Sequence, residues 1–121
     1  MAIFGRLEDA GVLAIWDGVV ARTVSSERLT LSVVELDAGA VIPEHAHENE
    51  QVGLLLAGSM RFRAGGESCD AVPGTTWAIP ADVPHEVEVG PDGAVVVEVF
   101  APPRADWAAH EPAPPRAPRW P

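Results

Sequence analysis

Apolar residues in this chain almost nowhere recur at helical spacing over ten or more positions; instead, short β-branched runs are cut every few residues by Gly, Pro and Asp. That pattern excludes a helical bundle and predicts an all-β chain. Strands are expected near 12–16, 19–24, 29–36, 41–47, 50–57, 59–64, 67–72, 76–79, 85–89 and 94–100. Between them lie turn signals: Asp17-Gly18, Asp37-Ala38-Gly39, Ala57-Gly58, Gly65-Gly66, Pro73-Gly74, Pro80-Ala81-Asp82 and Gly90-Pro91-Asp92-Gly93. Many short strands punctuated in this way pack as a barrel or a double-sheet jelly roll.

At 121 residues the chain has enough apolar content, 47%, for one small core. Seven of its twelve prolines fall in the last twenty residues, a segment too proline-rich for sheet. The expected division is a barrel domain over 1–101 and a Pro-rich C-terminal tail over 102–121. Within the tail, Arg104 to His110 has room for a helical turn or two, and Glu111 to Pro121 is expected to be extended, PPII-like or disordered. Trp120 could dock on an apolar patch. Two runs, 52–57 and 94–100, are apolar on both faces rather than alternating, so something must cover their second face. A homodimer is one expected answer.

Eight Arg, no Lys and 18 acidic residues give a formal charge of -10, which argues against nucleic acid or an anionic membrane as partner. The lone Cys69 closes no internal disulfide, and Met1 to Gly11 holds neither a basic nor an apolar targeting stretch. A cytoplasmic location and a small-molecule substrate are the resulting expectations.

Three of the four histidines lie in two punctuated stretches. Gly39-Ala40-Val41-Ile42-Pro43-Glu44-His45-Ala46-His47-Glu48-Asn49-Glu50-Gln51 runs on to Gly58, and Gly74-Thr75-Thr76-Trp77-Ala78-Ile79-Pro80-Ala81-Asp82-Val83-Pro84 ends at His85. Strand residues two apart share a face, so His45 and His47 can chelate side by side. With the same parity Gln51 would face inward beside them; Glu50 would reach the site only through a bulge. A Gln amide oxygen beside neutral imidazoles leaves a divalent ion's charge uncompensated, which makes a strong Lewis acid.

These stretches resemble the two motifs of the cupin superfamily, G-x5-H-x-H-x3,4-E-x6-G and G-x5-P-x-G-x2-H-x3-N. Gln51 stands where Glu is usual, Asp82 where Gly is usual and Val89 where Asn is usual. The resemblance covers roughly residues 29 to 101. It implies a cupin double-stranded β-helix, a jelly-roll barrel, in which His45, His47, Gln51 and His85 hold one divalent transition metal: Ni, Fe, Mn, Zn, Co or Cu.

The strings His47-Glu48-Asn49-Glu50-Gln51-Val52-Gly53 and Glu98 to Trp107 are further similar to single-domain cupins of the KdgF type, which act on 4,5-unsaturated monouronates in pectin and alginate breakdown. That likeness implies roles for Glu98, Phe100 and Arg104, with Glu98 one methylene longer than the family's Asp. Independently, a carboxylate among Val95, Val96, Val97 and Val99 is costly to bury unpaired and would have a raised pKa suited to proton transfer. Pairing with Arg61 or Arg63 is the plainer alternative. Arg104 could fork onto a substrate carboxylate or equally cap a surface turn, and Phe100 could stack on a sugar face, with core filler the plainer reading. The expected function is ring opening or tautomerisation of an unsaturated uronate; an Fe(II) dioxygenase and a non-catalytic binding cupin are the alternatives.

Overall fold

The computed structural model describes residues 4–119, so Trp120 lies outside the described residues. Eight strands form one antiparallel sheet that folds over on itself: β1 (Leu13–Trp16), β2 (Val19–Ser25), β3 (Thr30–Leu36), β4 (Val41–His45), β5 (Glu50–Ala64), β6 (Glu67–Ala71), β7 (Thr76–Ile79) and β8 (His85–Ala101). Among the described residues no helix is long and apolar enough to cross a membrane.

Two expected turns are absent. Ala57-Gly58 and Gly90-Pro91-Asp92-Gly93 do not reverse the chain; each lies within a long strand, so 50–57 and 59–64 are one element, as are 85–89 and 94–100. The partners explain why. Residues 50–58 of β5 pair with 94–101 of β8, and residues 60–64 pair with 85–89, with register shifts at Leu55/Ala57 and Gly58/Met60. Bulges there bend both strands together rather than ending them. Gly58, at φ +84°, is held to glycine twice over, since a Cβ would sit 1.9 Å from the Gly93 carbonyl oxygen.

The bend divides the sheet into two facing leaves. One runs β1-β2-β3-β8-β5-β7, using the C-terminal half of β8 and the N-terminal half of β5; the other runs β4-β8-β5-β6 with the opposite halves. Their inner faces enclose the core, which includes Val19, Val34, Leu36, Leu55, Met60, Phe62, Val87, Val96 and Phe100. Arg61 and Arg63 alternate with Met60 and Phe62 and face outward. Arg61 pairs with Asp70, and Arg63 with Glu86 and Glu88.

The Pro-rich segment lies against the barrel. After a 3-10 helix, Ala105–Ala109, which buries Trp107, the chain bridges Leu13 through Pro112 and then crosses the outer face of β2 and β3. There Arg116 and Arg119 reach Glu35. The tail's polar contacts fall on β2, β3 and the residue after it, and Val52 of the 52–57 run stays more than half exposed.

Candidate metal centre

His45 ends β4 and His85 begins β8, and the two are directly opposed in the pairing of those strands. His47 lies beyond β4, in the loop to β5, so the expected strand over 41–47 stops two residues short. Proximity to His45 is therefore not a matter of strand parity. The loop is pinned: the Asp82 N–H donates to the His47 carbonyl at 2.8 Å, with Asp82 in the left-handed region at φ 65°. Asp tolerates that region, which is how it serves at a position where glycine is usual. The Asn49 side chain donates to the carbonyls of Pro102 and Pro103 from the loop's other end.

One nitrogen from each of His45, His47 and His85 lies within 4.8 Å of the other two. The tautomers are set from behind. Nδ1 of His45 meets the Pro43 carbonyl, Nδ1 of His47 the Asn49 carbonyl and Nδ1 of His85 the Val83 carbonyl, each at 2.9 Å. A carbonyl only accepts, so each Nδ1 carries the proton and each Nε2 presents a lone pair. Burial pushes the His85 imidazole down to about 4, helped by the neighbouring His45 and His47 and by Arg104; burial and Arg104 also lower His47. His47 and His85 are thus neutral at pH 7, the state in which imidazole binds a cation.

Gln51, at the start of β5, is buried, whereas Glu50 is exposed. Two buried polar atoms here have no hydrogen-bond partner: His47 Nε2 and Gln51 Oε1. Orphaned buried acceptors are costly unless something fills the gap between them. A divalent ion held by three imidazoles and an amide oxygen fits both atoms and the neutral donor set.

Glu98 does not pair with Arg61 or Arg63. On β8 it points into the same cavity, where its Oε2 accepts from Gln51 Nε2 at 2.5 Å and from Trp77 Nε1 at 3.2 Å. Its side chain is half-buried among the residues that line the cavity. That desolvation pushes its carboxyl up to about 7 against the opposing pull of Trp77, Arg104 and Gln51.

Arg104 and Phe100 both line the cavity, which measures about 310 Å³; Arg104 is partly engaged, and Phe100 takes the core position that is its plainer expectation. Arg104 already uses Nε and Nη2 on the Asp106 carboxylate, at 3.0 and 2.9 Å, and stacks over Phe100 and Trp107. Its fork is spoken for, and Nη1 is the nitrogen left to meet a ligand. Phe100 is 2% exposed, packed between Trp107, His47 and the Arg104 guanidinium. A sugar can touch it only as part of the cavity wall. The ring available at the mouth is Trp16, 36% exposed and 5.3 Å from His45. Trp16, whose role depends on a neighbour distant in sequence, and Asp106, two residues from its partner Arg104, are absent from the expected site. His110, in the tail, lines the cavity but lies outside the histidine cluster.

Residues 32–100 match the cupin-domain family. The chain belongs to it. A jelly-roll cupin thus carries this three-histidine cluster. Its fold is similar to that of an RmlC-like cupin from Shewanella frigidimarina, with a TM-score of 0.79 and 23% identity, over 88% of this chain and 96% of that one. It is equally similar to KdgF from Halomonas sp., with a TM-score of 0.78 and 24% identity, over 88% and 98% of the two chains. Oxalate decarboxylase from Bacillus subtilis, a protein with Mn(II) centres, matches with a TM-score of 0.74 and 23% identity over 88% of this cupin and 31% of its own length. An uncharacterized Streptomyces coelicolor protein, SCO3923, is 24% identical over 74% of this cupin and 85% of its own length.

Proposed function

We propose that this cupin holds one divalent transition-metal ion through His45, His47, Gln51 and His85 and isomerises a small unsaturated uronate, opening its ring. The observation that carries the reading is the Glu98 carboxyl, set in the same cavity as three imidazoles with free Nε2 lone pairs and held by neutral donors rather than by an arginine. The similarity in fold to KdgF supports it.

When bound, the ion supplies Lewis-acid stabilisation of negative charge on a substrate oxygen. Arg104 Nη1, beside the cavity, meets the uronate carboxylate, and Trp16 offers an apolar face to the sugar at the mouth. Glu98 takes the proton of the anomeric hydroxyl. The bond from the anomeric carbon to the ring oxygen breaks as the aldehyde forms, and the ring oxygen leaves as an enolate conjugated with the C4–C5 double bond. Glu98 then returns the proton to C4, and C5 becomes a ketone. One proton leaves oxygen and one reaches carbon, so the product is an isomer of the substrate. A carboxyl titrating near neutrality suits transfer in both directions.

The test is to incubate the purified, metal-loaded protein with unsaturated galacturonate and mannuronate and follow loss of the enol-ether absorbance. Acceleration over the spontaneous rate, abolished in Glu98→Gln, is expected. No acceleration with Ni, Fe, Mn, Zn, Co or Cu overturns the reaction; oxygen uptake with Fe(II) would mark a dioxygenase, and tight ligand retention without turnover a binding protein.

A further inference from the structure

An amide side chain offers an oxygen and an NH2 of nearly equal shape, and only the oxygen can hold a cation. Three imidazole lone pairs would welcome the wrong end, because an NH2 can donate to them. In Gln51 the choice is made by Glu98, whose Oε2 takes the Nε2 donor at 2.5 Å and leaves Oε1 buried without a partner. Glu98 has a long side chain of its own to fix, and a second donor, Trp77 Nε1, converges on that same oxygen.

Trp77 lies on β7, two strands from Glu98. The residues opposed across the sheet are Glu98 of β8, Gly53 of β5 and Trp77 of β7. The indole reaches Glu98 because nothing stands on the strand between them. A Cβ on Gly53 would lie 2.2 Å from Trp77 Nε1 and 2.3 Å from Cε2. Gly53 sits mid-strand outside the left-handed region, so its backbone does not require glycine, and glycine weakens a strand interior. The close passage of the indole accounts for it.

We propose that Gly53 and Trp77 form a positioning device for the metal centre: the indole, seated in the notch above Gly53, anchors Glu98, and Glu98 turns the Gln51 amide so that its oxygen faces the three histidines. Trp77 and Gly53 are positioning residues that touch neither ion nor substrate. This rests on the metal reading of the cluster and adds to it what orients the fourth ligand.

The experiment measures Co(II) affinity of the full chain by competition with a chromophoric chelator, and records the visible spectrum of the bound ion. Trp77→Phe keeps the ring against Phe62, 5.0 Å away, and removes only the N–H. It is expected to weaken Co(II) binding about tenfold or more, the range for loss of an outer-shell partner. Gly53→Ala, which displaces the whole indole, should do at least as much and carries the test alone if Trp77→Phe does not fold. The deciding comparison uses Gln51→Glu, whose two carboxylate oxygens make orientation irrelevant. In that background Trp77→Phe should cost almost nothing. The proposal is overturned if folded Trp77→Phe and Gly53→Ala bind Co(II) like wild type, or if the loss persists undiminished beside Gln51→Glu. Wild-type protein that takes up no Co(II) overturns the metal reading itself, a result distinct from either.

Discussion

Arg22 and Glu35 form an ion pair across β2 and β3, with Nη1 of the arginine 2.5 Å from Oε2 of the glutamate and both side chains almost wholly buried. They lie on the face of the sheet turned away from the cavity, and the tail covers them. Arg116 and Arg119 each reach Glu35 Oε1 at 3.1 Å, while Arg22 Nη2 donates to the Arg116 carbonyl at 2.6 Å. Removing Arg22 takes the cation from Glu35 Oε2 but leaves Arg116 and Arg119 on Oε1, so the loss is only part of the roughly 3–5 kcal/mol that a stranded buried charge costs. Arg22→Ala is therefore expected to lower the urea midpoint and to expose the chain near Arg116, whose carbonyl loses its donor, to proteolysis. A midpoint within error of wild type would contradict it.

Glu35 also predicts an acid limit. Burial alone would raise its carboxyl, but the hydrogen bonds from Arg116 and Arg119 and the charge of Arg22 outweigh that and hold it below the usual range. In the unfolded chain the same group titrates near its ordinary value of about 4.3. Between those two values the unfolded state binds more protons than the native state. The stabilisation is thus complete above about pH 4.3 and is lost as the pH falls through the folded value. Urea midpoints measured from pH 7 to pH 3 should show a steeper fall below about pH 4.3 in wild type than in Glu35→Gln. Parallel curves would remove Glu35 as the cause.

A ligand that binds only the native state raises its stability by about 2.7 kcal/mol at a hundredfold excess over its dissociation constant. For a domain of this size that corresponds to roughly 10 °C in Tm. Scanning calorimetry with Co(II), and again after adding a chelator, should show such a shift and its reversal. His85→Ala, which removes the imidazole facing both His45 and His47, should abolish the shift without preventing folding. An equal shift in that variant would place the ion elsewhere.

Arg104 lies under Phe100 and Trp107 with two of its nitrogens on Asp106. A lysine cannot reproduce a planar fork that binds Asp106 and a substrate carboxylate at once. Arg104→Lys is expected to raise KM for a uronate about tenfold, equivalent to about 1.4 kcal/mol, and to change kcat less. The methyl ester of the same sugar should not distinguish the two proteins. Equal KM values for the free acid would take Arg104 out of carboxylate binding.

The barrel and most of the cluster were legible because their signals are local. Alternating Met60, Arg61, Phe62 and Arg63 announces a strand with one wet face, and His45, His47 and His85 stand at short, punctuated spacings. Bulges were not legible, because Ala57-Gly58 has the composition of a turn whether the chain reverses or merely bends; only pairing with β8 decides. The expectation for Gln51 rested on a strand continuing through His47, whereas a loop intervenes and its burial comes from β5. The meeting of Trp77 and Gly53 with Glu98 has no local signal, since it crosses three strands. The Asp106 carboxylate, two residues from Arg104, is a local signal that a reading of Arg104 as a substrate fork or a turn cap leaves out.

β8 carries His85 at one end and Glu98 near the other, and the bend at 90–93 brings both into one chamber. Side chains alternate along a strand, so a single residue added or lost within that bend would turn Glu98 outward and bring Val97 or Val99 in to replace it. The ligand and the carboxyl are therefore inherited as one ruler of fixed length. Descendants of this barrel can drift freely in their loops, while any change in the count between those two positions exchanges a polar chamber for a greasy one in a single step.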